Sequence, residues 1–148
     1  YSAAEEYRAA EPHFRKACEL DAKEIDACYF WSRSLYSLDR FEESLRALDK
    51  SWGATMEWKI RTGKGQALDA LGRAEAEEEL RRGMEARKKD ARPAGEVDPL
   101  LALGSFLYRQ GRAEEALVLL SGATKDYQAL AGYQYQLGRA WLAVEEWE

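Results

Sequence analysis

Leu103, Gly104 and Leu107 recur as Leu137, Gly138 and Trp141, each displaced by 34 residues. A fixed period of this length marks stacked supersecondary units. One unit cannot bury its apolar flank alone and must be roofed by the next. The order of sizes has a physical cause. A glycine lets two helices approach closely, and the bulky residues before and after it fill the gaps on either side.

Between sparse glycines and prolines lie long helix-forming runs, and no stretch alternates as a half-buried strand would. Eight helices are predicted, at about 7–20, 23–38, 41–52, 57–71, 74–89, 99–110, 113–125 and 127–144. Pro12 falls near the start of the first, where a missing amide donor costs least. In the second, Ala27, Cys28, Trp31, Ser32 and Leu35 form the buried stripe. Leu45, Leu48 and Trp52 point inward from the third, and Gly53 is a plausible stop. The fourth is the weakest, because Gly63 and Gly65 each cost about 1 kcal/mol against alanine in a helix interior. It also carries Lys64 where its equivalents are Trp31, Leu103 and Leu137, so Lys64 must snorkel or face water. A softer joint is therefore expected around Gly63, Gly65 and the loop of Pro93 and Gly95. Asp98 reads as an N-cap followed by Pro99 in the first helical position. Ala116, Leu117, Leu120 and Ala123 face inward from the seventh helix, and Trp147 begins a ninth.

These residues resemble the tetratricopeptide repeat, whose pattern is W-x2-L-G-x2-Y, then A-x3-F, then P. Leu100-x2-Leu103-Gly104-x2-Leu107 with Ala116-x3-Leu120 matches well. Cys28-x2-Trp31-Ser32-x2-Leu35 with Ser44-x3-Leu48 is a looser copy, and Gly65-x2-Leu68 with Ala76-x3-Leu80 a degenerate one. Ala10-x3-Phe14 looks like a second helix without its first, and Gln134-x2-Leu137-Gly138-x2-Trp141 like a first helix without its second. The resemblance implies an all-α, right-handed superhelical solenoid of antiparallel helix pairs. Its parts would be a half-repeat at 1–22, repeats at 25–56, 57–90 and 97–130 with a loop at 91–96, and a half-repeat at 131–148. The spacing is uneven: Ser32 to Gly65 is 33 residues and Gly65 to Gly104 is 39. The chain reads as a piece of something longer, or one whose last helix another molecule covers.

Composition narrows the function classes. Hydrophobic residues make up 46% of the 148 and charged residues 33%, enough for a core with well-solvated outer faces. The net charge of −5 disfavours non-specific attraction to nucleic acid or anionic lipid. No apolar run approaches a membrane span. Arginine outnumbers lysine and asparagine is absent, a composition that points to a high-GC bacterium. Cys18 and Cys28 are either two buried thiols or one bond between neighbouring helices. His13 has no metal-ligand context and reads as a surface residue. Gly63-Lys64-Gly65 lacks the spacing of a phosphate loop. Glu77, Glu78 and Glu79 spread over different helix faces beside Arg81 and Arg82, as an ion-paired outer surface. No nucleophile stands with a base, so no catalytic residue, cofactor or metal is expected.

Function is expected on a different side of the first helices from Trp31 and Leu35. Tyr29, Arg33 and Tyr36 share one such side at i, i+4 and i+7. The equivalent sides carry Thr62, Gln66 and Asp69, then Leu101, Ser105 and Tyr108, then Tyr135, Arg139 and Leu142. In the family these sides line the concave groove that grips a peptide or partner helix. By resemblance, the groove residues here are Tyr29, Arg33, Tyr36, Gln66, Tyr108, Arg109, Tyr135 and Arg139. Tyrosine and arginine are enriched in binding hot spots. The lysine–asparagine clamp of chaperone-tail adaptors is missing. The expected role is a non-catalytic scaffold for a protein or peptide partner, without nucleic acid or membrane insertion. Self-association through the terminal helix, and service as an accessory segment of a larger enzyme, are the alternatives.

Overall fold

In the computed structural model, which describes residues 3–21, 27–51, 57–89 and 98–145, every regular element is helical. In order these are α1 (Ala3–Leu20), α2 (Ala27–Ser37), α3 (Phe41–Lys50), α4 (Glu57–Ala70), α5 (Ala76–Arg87), α6 (Pro99–Arg109), α7 (Ala113–Ser121) and α8 (Ala131–Glu145), with a 3₁₀ turn (Lys125–Ala129) before α8. Each helix packs on the next, and α2, α4, α6 and α8 also touch in that order. The result is an all-α solenoid of antiparallel helix pairs.

Three hairpins turn in the same way. Asp39, Gly72 and Gly111 take positive φ of 60°, 69° and 76°. The following arginine amide then reaches back to a leucine carbonyl: Arg40 to Leu35, Arg73 to Leu68 and Arg112 to Leu107, each at 2.9 Å. With the amides of Asp39, Gly72 and Gly111 on Tyr36, Asp69 and Tyr108, this is a Schellman closure, which satisfies the last carbonyls of the first helix. Aspartate tolerates the left-handed region better than most residues, so Asp39 can stand where glycine stands twice.

Inside each hairpin small residues meet. Ser44 Oγ donates to the Ser32 carbonyl at 2.9 Å, and Ser32 Oγ turns back onto the Tyr29 carbonyl at 2.7 Å. A methyl at Gly65 would lie 2.5 Å from Leu80 Cγ, and one at Gly104 would lie 3.2 Å from Leu120 Cδ2. A methyl at Gly63 would likewise lie 3.2 Å from Leu48 Cδ1. The weak local packing behind the softer joint expected at Gly63 and Gly65 is thus corrected. Those glycines are buried sites of close approach, and the pairing expected to be weak is tight. Pro93 and Gly95 lie outside the described residues, as do Trp52, Gly53 and Trp147.

Leu35, Leu48, Leu80, Leu103, Leu107 and Leu120 are fully buried. Trp31 is half-buried, donating Nε1 to the buried Glu11 at 2.9 Å, and Leu137 is half-buried. Trp141, expected in the core, is 51% exposed. Its stripe on α8 has no helix across it among the described residues, and Gly138 meets nothing within 4 Å. Helix α1 begins four residues earlier than expected, which places Pro12 inside it. The seventh helix stops at Ser121 instead of running to 125, and the eighth starts at Ala131 instead of Tyr127. The intervening 3₁₀ turn carries Tyr127 inward, where its hydroxyl donates to Asp98 Oδ1 at 2.6 Å. Of the two open readings for Cys18 and Cys28, the structure has the bond, joining α1 to α2 with Cα atoms 4.7 Å apart.

The turn arginines also link hairpins. Arg40, just before α3, pairs with Glu43 of that helix and faces Glu11 of α1 at 3.8 Å. Arg112 pairs with Glu115 and reaches back to Glu77 of α5. Hydrogen bonds from these arginines hold Glu43, Glu77 and Glu115 below the ordinary carboxylate value of 4.5. A lowered folded-state pKa means the stabilisation is complete above pH 4.5 and fades as pH falls through the lowered values. Thermal unfolding followed from pH 7 to pH 3 is expected to show a falling Tm below that point. Arg112→Gln is expected to flatten the fall, and an unchanged acid limb would show that these pairs carry no linkage.

Candidate partner-binding face

The helices α2, α4, α6 and α8 each present residues three and four apart on one shared face, the spacing that stacks side chains on one side of a helix. On α2 this row holds Arg33 and Tyr36, on α4 Lys59, Gln66 and Asp69, on α6 Ser105, Tyr108 and Arg109, and on α8 Tyr135, Arg139 and Leu142. Because the four helices are neighbours, the row runs across the array.

Side-chain hydrogen bonds link each helix of this row to the next. Arg33 Nη1 donates to Gln66 Oε1 at 2.8 Å, joining α2 to α4. Arg109 pairs with Asp69, joining α6 to α4, and its Nη1 donates to Ser105 Oγ at 2.9 Å. Arg139 Nη2 donates to the same Ser105 Oγ at 3.1 Å, joining α8 to α6. Gln136 adds a bond from Nε2 to the Leu101 carbonyl at 3.0 Å.

Aromatic rings sit against the cations. The Arg33 guanidinium lies 5.0 Å from the Tyr36 ring centre. Arg139 lies 4.1 Å from Tyr108 and 5.4 Å from Tyr135. Lys59 Nζ stands 5.8 Å from the rings of both Tyr29 and Trp58. Ring faces attract cations, so these contacts hold the charges in place without neutralising them.

The structure therefore brings seven of the eight expected residues into one row: Arg33, Tyr36, Gln66, Tyr108, Arg109, Tyr135 and Arg139. Tyr29 is the exception and a correction. It is 7% exposed and packs with Leu48 and Ile60, so its bulk serves the core. A tyrosine on α2 next to the large Ile60 of α4 is drawn inward, whereas its equivalent Tyr135, on the outermost described helix, is 68% exposed. Lys59 was missed. Its signal was available, since it lies one turn before Thr62 on the same side.

Away from this row, a concavity lined by Glu57, Arg61, Glu77, Arg81, Arg82 and Met84 flanks α5. There the charges cancel: Arg81 pairs with Glu77 at 3.0 Å, Arg82 with Glu78 at 2.6 Å and Arg61 with Glu79 at 3.1 Å. Lys64 snorkels to Asp49 at 2.8 Å. Among the described residues no group of three or more His, Cys, Asp and Glu side chains is placed to hold a metal ion, and no helix is long and apolar enough to cross a membrane. His13 is exposed on α1.

No family model and no curated protein matches the chain. Solved structures do. One is YrrB, described as a TPR protein with an unusual peptide-binding site, which superposes with a TM-score of 0.59 and 23% identity over 95% of this chain and 71% of that one. The likeness is one of fold, and it agrees with the helical-repeat architecture seen here.

Proposed function

We propose that this chain, sharing its fold with a TPR protein, is a non-catalytic scaffold that binds a peptide or partner segment across the face of α2, α4, α6 and α8. The observation that carries this reading is the row of Arg33–Gln66, Asp69–Arg109 and Ser105–Arg139 links, which joins α2, α4, α6 and α8 in turn while leaving Tyr36, Tyr108 and Tyr135 beside them. In the repeat architecture this is the concave side. A preorganised polar row with aromatic anchors has little freedom left to lose on binding. The peptide-binding site ascribed to YrrB supports a ligand of the same kind.

The test begins with this protein as bait and proceeds to the purified partner. Arg139→Ala and Tyr36→Ala are each expected to weaken binding at least tenfold, as central arginine and tyrosine anchors do. Arg46→Ala, on an exposed residue of α3, is expected to leave it unchanged. Equal affinity for all three variants would place the binding site elsewhere.

A second reading has its own observation. Trp141 and Leu142 are exposed, and the flank of Gly138 is open. Self-association through α8 would cover them. Light scattering over a concentration series separates the readings, since only self-association raises the apparent mass.

A further inference from the structure

The half-buried arginines divide into two groups. Arg40 lies against Glu43, Arg61 against Glu79, Arg87 against Asp98 and Arg112 against Glu77. Arg33 and Arg139, also half-buried, make contact with no carboxylate among the described residues. Their partners are neutral: the Gln66 amide and Tyr36 for one, and the Ser105 hydroxyl with Tyr108 and Tyr135 for the other. Both stand on the proposed binding face. So does Lys59, another half-buried cation, held by rings.

Half-burying a guanidinium strips part of its hydration, and in proteins an anion usually compensates. Here, in a chain of net charge −5, acidic residues are plentiful, yet among the described residues none is placed at these two sites. Each guanidinium has five N–H donors in a planar fork. One nitrogen of Arg33 and one of Arg139 bond to protein, and Arg139 Nε is buried without an acceptor. What remains is the outer edge of each guanidinium, whose free terminal N–H groups can meet the two oxygens of a carboxylate. The tyrosine rings fix the plane of each fork before a ligand arrives.

We infer that the ligand of this face is an acidic peptide segment whose carboxylate side chains pair with Arg33 and Arg139, with Lys59 of α4 adding positive field. The inference rests on the binding face proposed above and names its ligand chemistry. A nucleic-acid strand fits less well. Three cations are few against one phosphate per nucleotide, and the surrounding acidic surface would repel the rest of the strand.

The experiment selects binders to the chain from a random library of dodecapeptides acetylated at the N-terminus and amidated at the C-terminus. Enrichment of peptides with two or more Asp or Glu residues is expected. Replacing one such residue by Gln or Asn in the best binder should weaken it about tenfold, the step that 1.4 kcal/mol represents. Arg139→Lys should weaken it by a similar factor, because an ammonium cannot reproduce the fork. Arg139→Lys keeps the charge and a long stem, so circular dichroism should show it folded. Affinity should fall as salt is raised from 50 to 500 mM.

Neutral or basic winners that still lose affinity with Tyr36→Ala would overturn the acidic ligand while leaving the binding face standing. Winners indifferent to Tyr36, Arg33 and Arg139 would overturn both. An acidic peptide that binds only as the free acid and not as the amide would assign the anion to a chain terminus, against the inference. So would tighter binding of a single-stranded oligonucleotide than of any acidic peptide, or a library that yields no binder.

Discussion

Asp98→Ala is expected to destabilise the fold by about 3–5 kcal/mol, the range for removing one partner of a buried charge pair. Three consequences converge on this carboxylate, which is 2% exposed. It caps α6, accepting from the Leu100 amide at 2.9 Å, and loss of such a cap alone costs about 1 kcal/mol. It accepts from the Tyr127 hydroxyl at 2.6 Å, and a buried donor left without its partner costs about 1–3 kcal/mol. It faces Arg87 Nε at 3.5 Å. Burial and the hydrogen bond to Asp98 both hold the Tyr127 phenol well above its ordinary value of 10. The network joins the end of α5, the start of α6 and the turn between α7 and α8, so its loss loosens three connections together. Asp98→Asn, which keeps the acceptor and removes the charge, should recover part of the loss. Urea unfolding of Asp98→Ala, Tyr127→Phe and the double variant measures the coupling directly. If the single losses simply add, the two groups do not act as a unit and the account is wrong.

The second large effect is a change of sign between two glycines. Gly65→Val is expected to destabilise by about 3 kcal/mol, at the upper end for overpacking a tight core, and Gly65→Ala by somewhat less. A methyl at Gly65 would meet Leu80 Cγ at 2.5 Å, Leu80 Cδ2 at 2.6 Å and the Ala76 carbonyl at 3.2 Å. The first is the branch point of a fully buried side chain and the last is backbone, so neither can yield without parting α4 from α5. Gly138→Ala should act the other way. Its added methyl meets nothing within 4 Å, which leaves only the helix-propensity gain of about 1 kcal/mol. Thermal denaturation of the two alanine variants under one buffer decides the matter. Two shifts of the same sign would mean that close approach does not set the role of Gly65.

Much of this fold is legible in the chain before folding. The small residues at Ser32, Gly65, Gly104 and Gly138 and the bulky ones around them are periodic, and periodicity survives in any linear reading. The three turns are equally legible, because a residue able to adopt positive φ followed by arginine is a local signal. The N-cap at Asp98 with Pro99 behind it is likewise local. Helical spacing alone put Arg33 with Tyr36 and Tyr135 with Arg139, and it took the resemblance to the repeat family to set them in one row with Gln66, Tyr108 and Arg109.

What could not be anticipated depends on residues far apart in the chain. Helical spacing put Tyr29 and Tyr135 at the same register, but only the neighbouring helix buries one and leaves the other open. Trp141 and Leu35 share a register too, and Leu35 is fully buried among packed helices while Trp141 is 51% exposed. The seventh helix looked continuous through Lys125, until Tyr127 met Asp98, 29 residues earlier, and broke it into a 3₁₀ turn.

The amino-acid order alone determined a helical array, its hairpin turns and the side on which tyrosine and arginine gather, because backbone sterics and helical periodicity act within a few residues. The tertiary structure alone decided which cations would lack a carboxylate and which tyrosines would reach the surface. Charge compensation and burial are set by whatever side chain the next helix brings within a few ångströms, and that neighbour comes from about one repeat away.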